Sequence, residues 1–142
     1  METIESIDDK YEYRERGLFL FIGVKVKTSK QEIALIMFGE QSCCEQFDCG
    51  IVLPPGIADV KSMEGATIQR TYIGTDWSWT KDNPDAEEPV EGEYMDDENG
   101  SVTLHIDTDR GRLKVYAYNY HNGYYSHSYT LTFNGQIHEG DL

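Results

Sequence analysis

Apolar and polar positions along the chain fall into short runs rather than long helical stripes. Leu18 to Lys27 is rich in aromatic and β-branched residues, Thr28–Gln31 is polar, and Ile33 to Phe38 is apolar again. Two such runs around a short polar break predict an N-terminal hairpin. Their nearly continuous apolar character predicts burial on both faces. Residues 1–16 space Ile4, Ile7 and Tyr11 by three and four, which predicts one or two helical turns. Ser42-Cys43-Cys44-Glu45 has the spacing of a capping box and predicts the start of a short helix. Ile57 to Met63, closed by Gly65, predicts another. Ile51-Val52-Leu53 reads as a short strand or as the tail of the first turn, and Pro54-Pro55-Gly56 stops it. Ala66 to Ile73 alternates as a strand.

The C-terminal pattern is clearer. Val102–Asp107 alternates with period two, Asp109-Arg110-Gly111 is a turn, and Leu113–Tyr120 is a strand. Asn122-Gly123 is a strong hairpin signal, because a type I′ turn needs positive φ at both central residues. Tyr124–Phe133 then completes a meander of three antiparallel strands. The expected fold class is α+β and β-rich: antiparallel sheet with an N-terminal hairpin, one or two short helices and the C-terminal meander, in one domain over residues 1–142.

That meander gathers a chemically distinctive face. With Asn122-Gly123 and Arg110-Gly111 as two-residue turns, Tyr118 pairs with His127, Tyr116 with Tyr129, and His105 with Tyr116. One face then carries His105, Tyr116, Tyr118, Tyr120, Tyr125, His127 and Tyr129, with Tyr124 at the hairpin tip. Six of the ten tyrosines lie in 116–129. Tyrosine offers a ring for stacking and a hydroxyl for hydrogen bonding, which suits flat polar ligands such as nucleobases, and histidine adds a donor. A half-buried sheet face rich in β-forming tyrosine is the competing interpretation. Trp77 and Trp79, two residues apart, are core residues or pocket walls.

Charge changes the picture of partners. The 142 residues carry 26 acids against 12 Lys plus Arg, a net charge of −14, which excludes a basic footprint for bulk nucleic acid and opposes docking on anionic lipid. No apolar run approaches a membrane span. The charge is local. Residues 82–98 hold nine acids and no base, residues 1–16 have a net charge of −3, residues 139–142 have −2, and the remainder is neutral. With Pro84, Pro89 and Gly92, the 82–98 segment reads as a long acidic loop or insertion, either solubilising or an arm for a basic partner. In the neutral remainder, Arg70, Arg110, Arg112 and Lys114 are available to meet phosphates.

Catalytic and metal-binding patterns are weak. Cys43, Cys44 and Cys49 form neither a Cys-x2-Cys pair nor an even set, so packing outranks zinc binding or a disulfide framework. No cofactor is implied, and no catalytic residue is assigned. The N-terminus Met1-Glu2-Thr3-Ile4-Glu5 lacks the basic and apolar regions of a signal peptide, which predicts a reducing cytoplasm.

At Cys43-Cys44-Glu45 and Asn122-Gly123-Tyr124-Tyr125-Ser126 the sequence resembles a family of small, largely phage-encoded proteins. The resemblance runs over residues 17–133, and the acidic segment 82–98 departs from it. It implies a viral setting, in the cytoplasm of the infected host cell. It shifts the expected function to counter-defence: a homo-oligomeric sponge that sequesters a nucleotide-derived immune signal, such as a cyclic ADP-ribose variant, without catalysis. The alternative is an acidic, DNA-mimic-like inhibitor of a host defence effector. The expected ligand-binding residues are Tyr116, Tyr118, Tyr120, Tyr124, Tyr125, His127, His105, Trp77, Trp79, Arg110 and Arg112.

Overall fold

The computed structural model describes residues 1–15, 18–38, 46–73, 99–120 and 128–141. They form nine strands: β1 (Glu2–Glu15), β2 (Leu18–Thr28), β3 (Glu32–Phe38), β4 (Gln46–Val52), β5 (Thr67–Ile73), β6 (Asn99–Thr108), β7 (Gly111–Tyr120), β8 (Ser128–Phe133) and β9 (Gln136–Asp141). These make one antiparallel sheet in the order β4-β7-β6-β5-β1-β2-β3-β8-β9. The only helical element among the described residues is the 3-10 turn Val60–Met63. The β-rich expectation holds, and the helical component shrinks to this turn, inside the Ile57–Met63 stretch read as a helix. No described helix is long and apolar enough to cross a membrane.

The sheet folds over at β1. Glu2 and Thr3 pair with Ile68 and Thr67 of β5, while Ile4 onwards pairs with β2. β2 and β3 thereby come against β4 and β7, strands far from them in the sheet order. Val24, Val26, Ile33, Leu35, Met37 and Leu131 from one half meet Leu104, Ile106, Leu113, Val115 and Ala117 from the other in one core. Each of these side chains larger than alanine contributes about 1.5–3 kcal/mol through burial.

Residues 1–15 are a strand, not helical turns. Ile4 and Ile7 are three apart, which in a regular strand places them on opposite faces. A register shift between Ile4 and Ser6 brings both to the core side, Ile4 opposite Thr28 and Ile7 opposite Val26. The bulge mimics helical spacing. The β2–β3 hairpin forms as expected, but only one face is fully buried: Ile33, Leu35 and Met37 are covered while Ala34, Ile36 and Phe38 are half-exposed.

The expected C-terminal meander is corrected. β6 and β7 pair, but β7 pairs on its other side with β4, and β8 lies between β3 and β9. Tyr129 therefore faces Met37 and Gly140 rather than Tyr116. Inner faces explain the separation. Leu131 and Phe133 of β8 complete the half that contains β3, while Leu113, Val115 and Ala117 of β7 complete the opposing half. Type I′ geometry occurs at Asn134-Gly135, with Asn134 at φ 51° and Gly135 at φ 72°, joining β8 to β9. Asn122-Gly123, the Ser42–Glu45 turn and the 82–98 segment lie outside the described residues.

Candidate functional site

The β6–β7 hairpin positions most of the expected site residues that are described. Its turn is Asp109-Arg110, with Thr108 opposite Gly111, rather than Arg110-Gly111. Thr108 fixes it: its Oγ1 accepts from the Arg110 amide at 3.0 Å and donates to the Gly111 carbonyl at 2.8 Å. Gly111 takes φ 117°, open to glycine alone at low cost. The true register pairs His105 with Lys114 and Thr103 with Tyr116, a slip of two from the expected one. A slip of two preserves the faces, so His105, Tyr116 and Tyr118 still share one side, opposite the core.

That side is closed at its centre. Tyr118, His105 and Tyr116 are 2%, 3% and 8% exposed. Tyr116 and Tyr118 stack at 6.1 Å between centroids, and the Tyr116 ring lies over Gly50 of β4. Among the expected residues, these tyrosines behave as packed sheet residues. Tyr120 is the last residue of β7. Tyr124, Tyr125, His127, Trp77 and Trp79 lie outside the described residues.

Two arginines of the hairpin separate in role. Arg110 turns away and donates from Nη1 to the carbonyls of Ser62 and Glu64, at 2.6 and 2.9 Å. It ties the hairpin to the 3-10 turn. Arg112 stays on the outer face, where its Nε donates to Asp107 Oδ1 at 2.8 Å. Asp107 also faces Arg70 of β5, Nη2 to Oδ2 at 3.6 Å.

A layered cluster results. The Arg70 guanidinium sits 3.9 Å from the Tyr72 ring centroid, and Arg112 approaches the same ring at 5.7 Å. His105 meets that ring edge-on at 5.0 Å. Register produces this arrangement: Arg70 lies opposite Asp107, and Tyr72 opposite His105. Beside it opens a groove of about 410 Å³, lined among others by Arg112, Lys114, Asp107, Gln69, Leu53 and Pro55. With Arg70 at its margin, the groove region carries three cations against one carboxylate. Tyr72 is the residue sequence reasoning missed. Its signal was the period-two spacing Arg70–Tyr72, which becomes meaningful only once β5 is known to pair with β6. Among the described residues no group of three or more His, Cys, Asp or Glu is arranged to hold a metal ion.

No protein-family model matches the chain, and no curated protein or solved structure matches it. The site is therefore read from its own chemistry.

Proposed function

We propose that this protein binds and sequesters a small anionic ligand of the nucleotide-derived class, without catalysis, in the groove between the β6–β7 hairpin and the segment after β4. The carrying observation is the Arg70–Tyr72–Arg112 cluster pinned by Asp107 beside that groove. Guanidinium groups present planar arrays of donors that match phosphate oxygens. Lys114, on the same face, lines the groove with its side chain largely buried at 5% exposure. Leu53 and Pro55 supply apolar wall for a base or ribose. The cations stand on strands, whose backbone hydrogen bonds hold them in place before a ligand arrives. A setting in the infected cell, where the ligand is an immune signal, rests on the resemblance at Cys43-Cys44-Glu45 and Asn122–Ser126. It is part of the same proposal.

The test is to denature full-length protein purified from cells with active nucleotide signalling and to search the released small molecules by mass spectrometry. A bound nucleotide-derived species, recovered chemically unchanged and lost from Arg112→Ala protein that remains folded, is the expected result. No released ligand, together with no thermal shift across a panel of nucleotides and cyclic nucleotides, overturns the reading.

A further inference from the structure

Arg70 is placed differently from the other cations beside the groove. Its guanidinium lies over the Tyr72 ring, 3.9 Å from the centroid. That ring is held in turn by His105, edge-on at 5.0 Å and almost wholly buried. Asp107 stands at the side of the guanidinium, Oδ2 3.6 Å from Nη2. The Arg70 side chain is nevertheless 64% exposed, so the face turned away from Tyr72 is open to solvent. A free arginine loses considerable rotamer freedom on presenting a fixed flat face. Here the ring and the carboxylate have already ordered it, which lowers the cost of stacking a ligand there.

Arg112 shares Asp107 and Tyr72 with Arg70 but is held otherwise. Its Cζ is 5.7 Å from the Tyr72 centroid, too far to rest on the ring. Its Nε donates to Asp107 at 2.8 Å, and its side chain is 33% exposed. Arg112 lines the groove together with Lys114, whereas Arg70 stands outside its lining. Arg70, Asp107 and Arg112 form one cross-strand row. Both guanidiniums converge on one carboxylate and one ring, so they stand within the span of a single nucleotide. The wall of Leu53 and Pro55, on the β4 side of Arg112, is left for the rest of the ligand.

On the reading of the groove as a nucleotide site, we infer that Arg70 is its base-recognising residue: the nucleobase stacks on the open face of the guanidinium while Arg112 takes the phosphate. A nucleobase presents a flat face that a guanidinium plane can cover. A sugar phosphate without a base has nothing to place there. Lysine at position 70 keeps the charge, but its compact, strongly hydrated ammonium supplies no plane.

Titration calorimetry of the full chain with AMP and with its base-free counterpart, ribose 5-phosphate, separates the two roles. Wild type binds AMP about tenfold or more tighter than ribose 5-phosphate. Arg70→Lys loses that preference by weakening AMP alone, and its melting temperature stays near that of wild type because the side chain is exposed. Arg112→Ala weakens both compounds alike. Arg70→Lys that weakens both alike would make Arg70 a further phosphate contact and overturns the inference while the groove remains a nucleotide site. Wild type without a preference for AMP, or Arg70→Lys that keeps the preference, overturns it in the same way. Wild type that binds neither compound also overturns it, and the groove then stands or falls on the ligand-release experiment.

Discussion

Gly50 shows what a single missing side chain does on an outer sheet face. A Cβ there would sit 2.7 Å from the Tyr116 hydroxyl and 2.9 Å from its Cζ, so the ring lies flat only because position 50 is glycine. The ring cannot step aside freely, being 8% exposed and stacked on Tyr118. Gly50→Ala is therefore expected to cost about 1–3 kcal/mol, measured as a lower denaturant midpoint at unchanged slope. The two hairpin arginines offer a sharper contrast, since one residue between them separates opposite roles. Arg110→Ala removes two hydrogen bonds to carbonyls on the 3-10 turn and is expected to lower stability by about 1 kcal/mol while leaving nucleotide binding intact. Arg112→Ala removes a groove cation and is expected to weaken binding about tenfold or more, with little change in melting temperature. Titration calorimetry with the released ligand, set beside thermal unfolding of both variants, checks the pair. Equal effects of the two on binding would contradict the assignment.

Elements were legible in the sequence where a local pattern decides them. The β2–β3 hairpin, β5, and the β6–β7 hairpin with its tyrosine face follow from period-two alternation and short polar breaks, and the face survived a wrong turn because the register error was even. What the sequence hid was non-local. Bulges disguised β1 as helical spacing. Nothing in the tyrosine pattern reveals that β8 prefers β3 to β7, because that choice is made by which core it completes. The candidate site was half legible for the same reason: Arg112 was named, but Tyr72 belongs to it only through cross-strand pairing. The support of the Asn134-Gly135 turn is likewise not local. At Asn134-Gly135 both residues take positive φ, and Gln31 reaches across from the β2–β3 turn, its Nε2 donating to Asn134 Oδ1 and its Oε1 accepting from the Asn134 amide. Gly135→Ala is thus expected to cost about 1 kcal/mol through its left-handed backbone. Gln31→Ala is expected to destabilise the same hairpin without touching its dihedral angles. Faster amide exchange in β9 on both changes checks the coupling, and an effect of Gly135→Ala alone would show that the turn stands by itself.

At the scale of the molecule, the fold-over at β1 makes two sheet halves share one core, and that has a thermodynamic consequence. Among the described residues, the β1 backbone joins the halves where Glu2 and Thr3 meet β5 and where Ile4 bonds to Gly65 and Ala66 just before it. The apolar contact joins them broadly: Leu35 on β3 and Leu104 on β6, both fully buried, belong to one cluster although they lie in opposite halves. If the β1 pairing were the main link, each half would open by itself, and damage to one would spare the other. If the shared core is the link, loss of packing anywhere in it lowers the stability of both. Leu35→Ala and Leu104→Ala each remove a buried side chain and are expected to cost about 2–5 kcal/mol. Native-state amide exchange separates the two cases, because the best-protected amides report the global unfolding free energy. With a shared core, Leu35→Ala lowers protection by the same free energy in β6 and β7 as in its own strand, and Leu104→Ala does the reverse. Protection lost only in the substituted half would mean that the halves are separate cooperative units joined by a short stretch of ladder. The groove cations would then rest on the stability of β5, β6 and β7 alone.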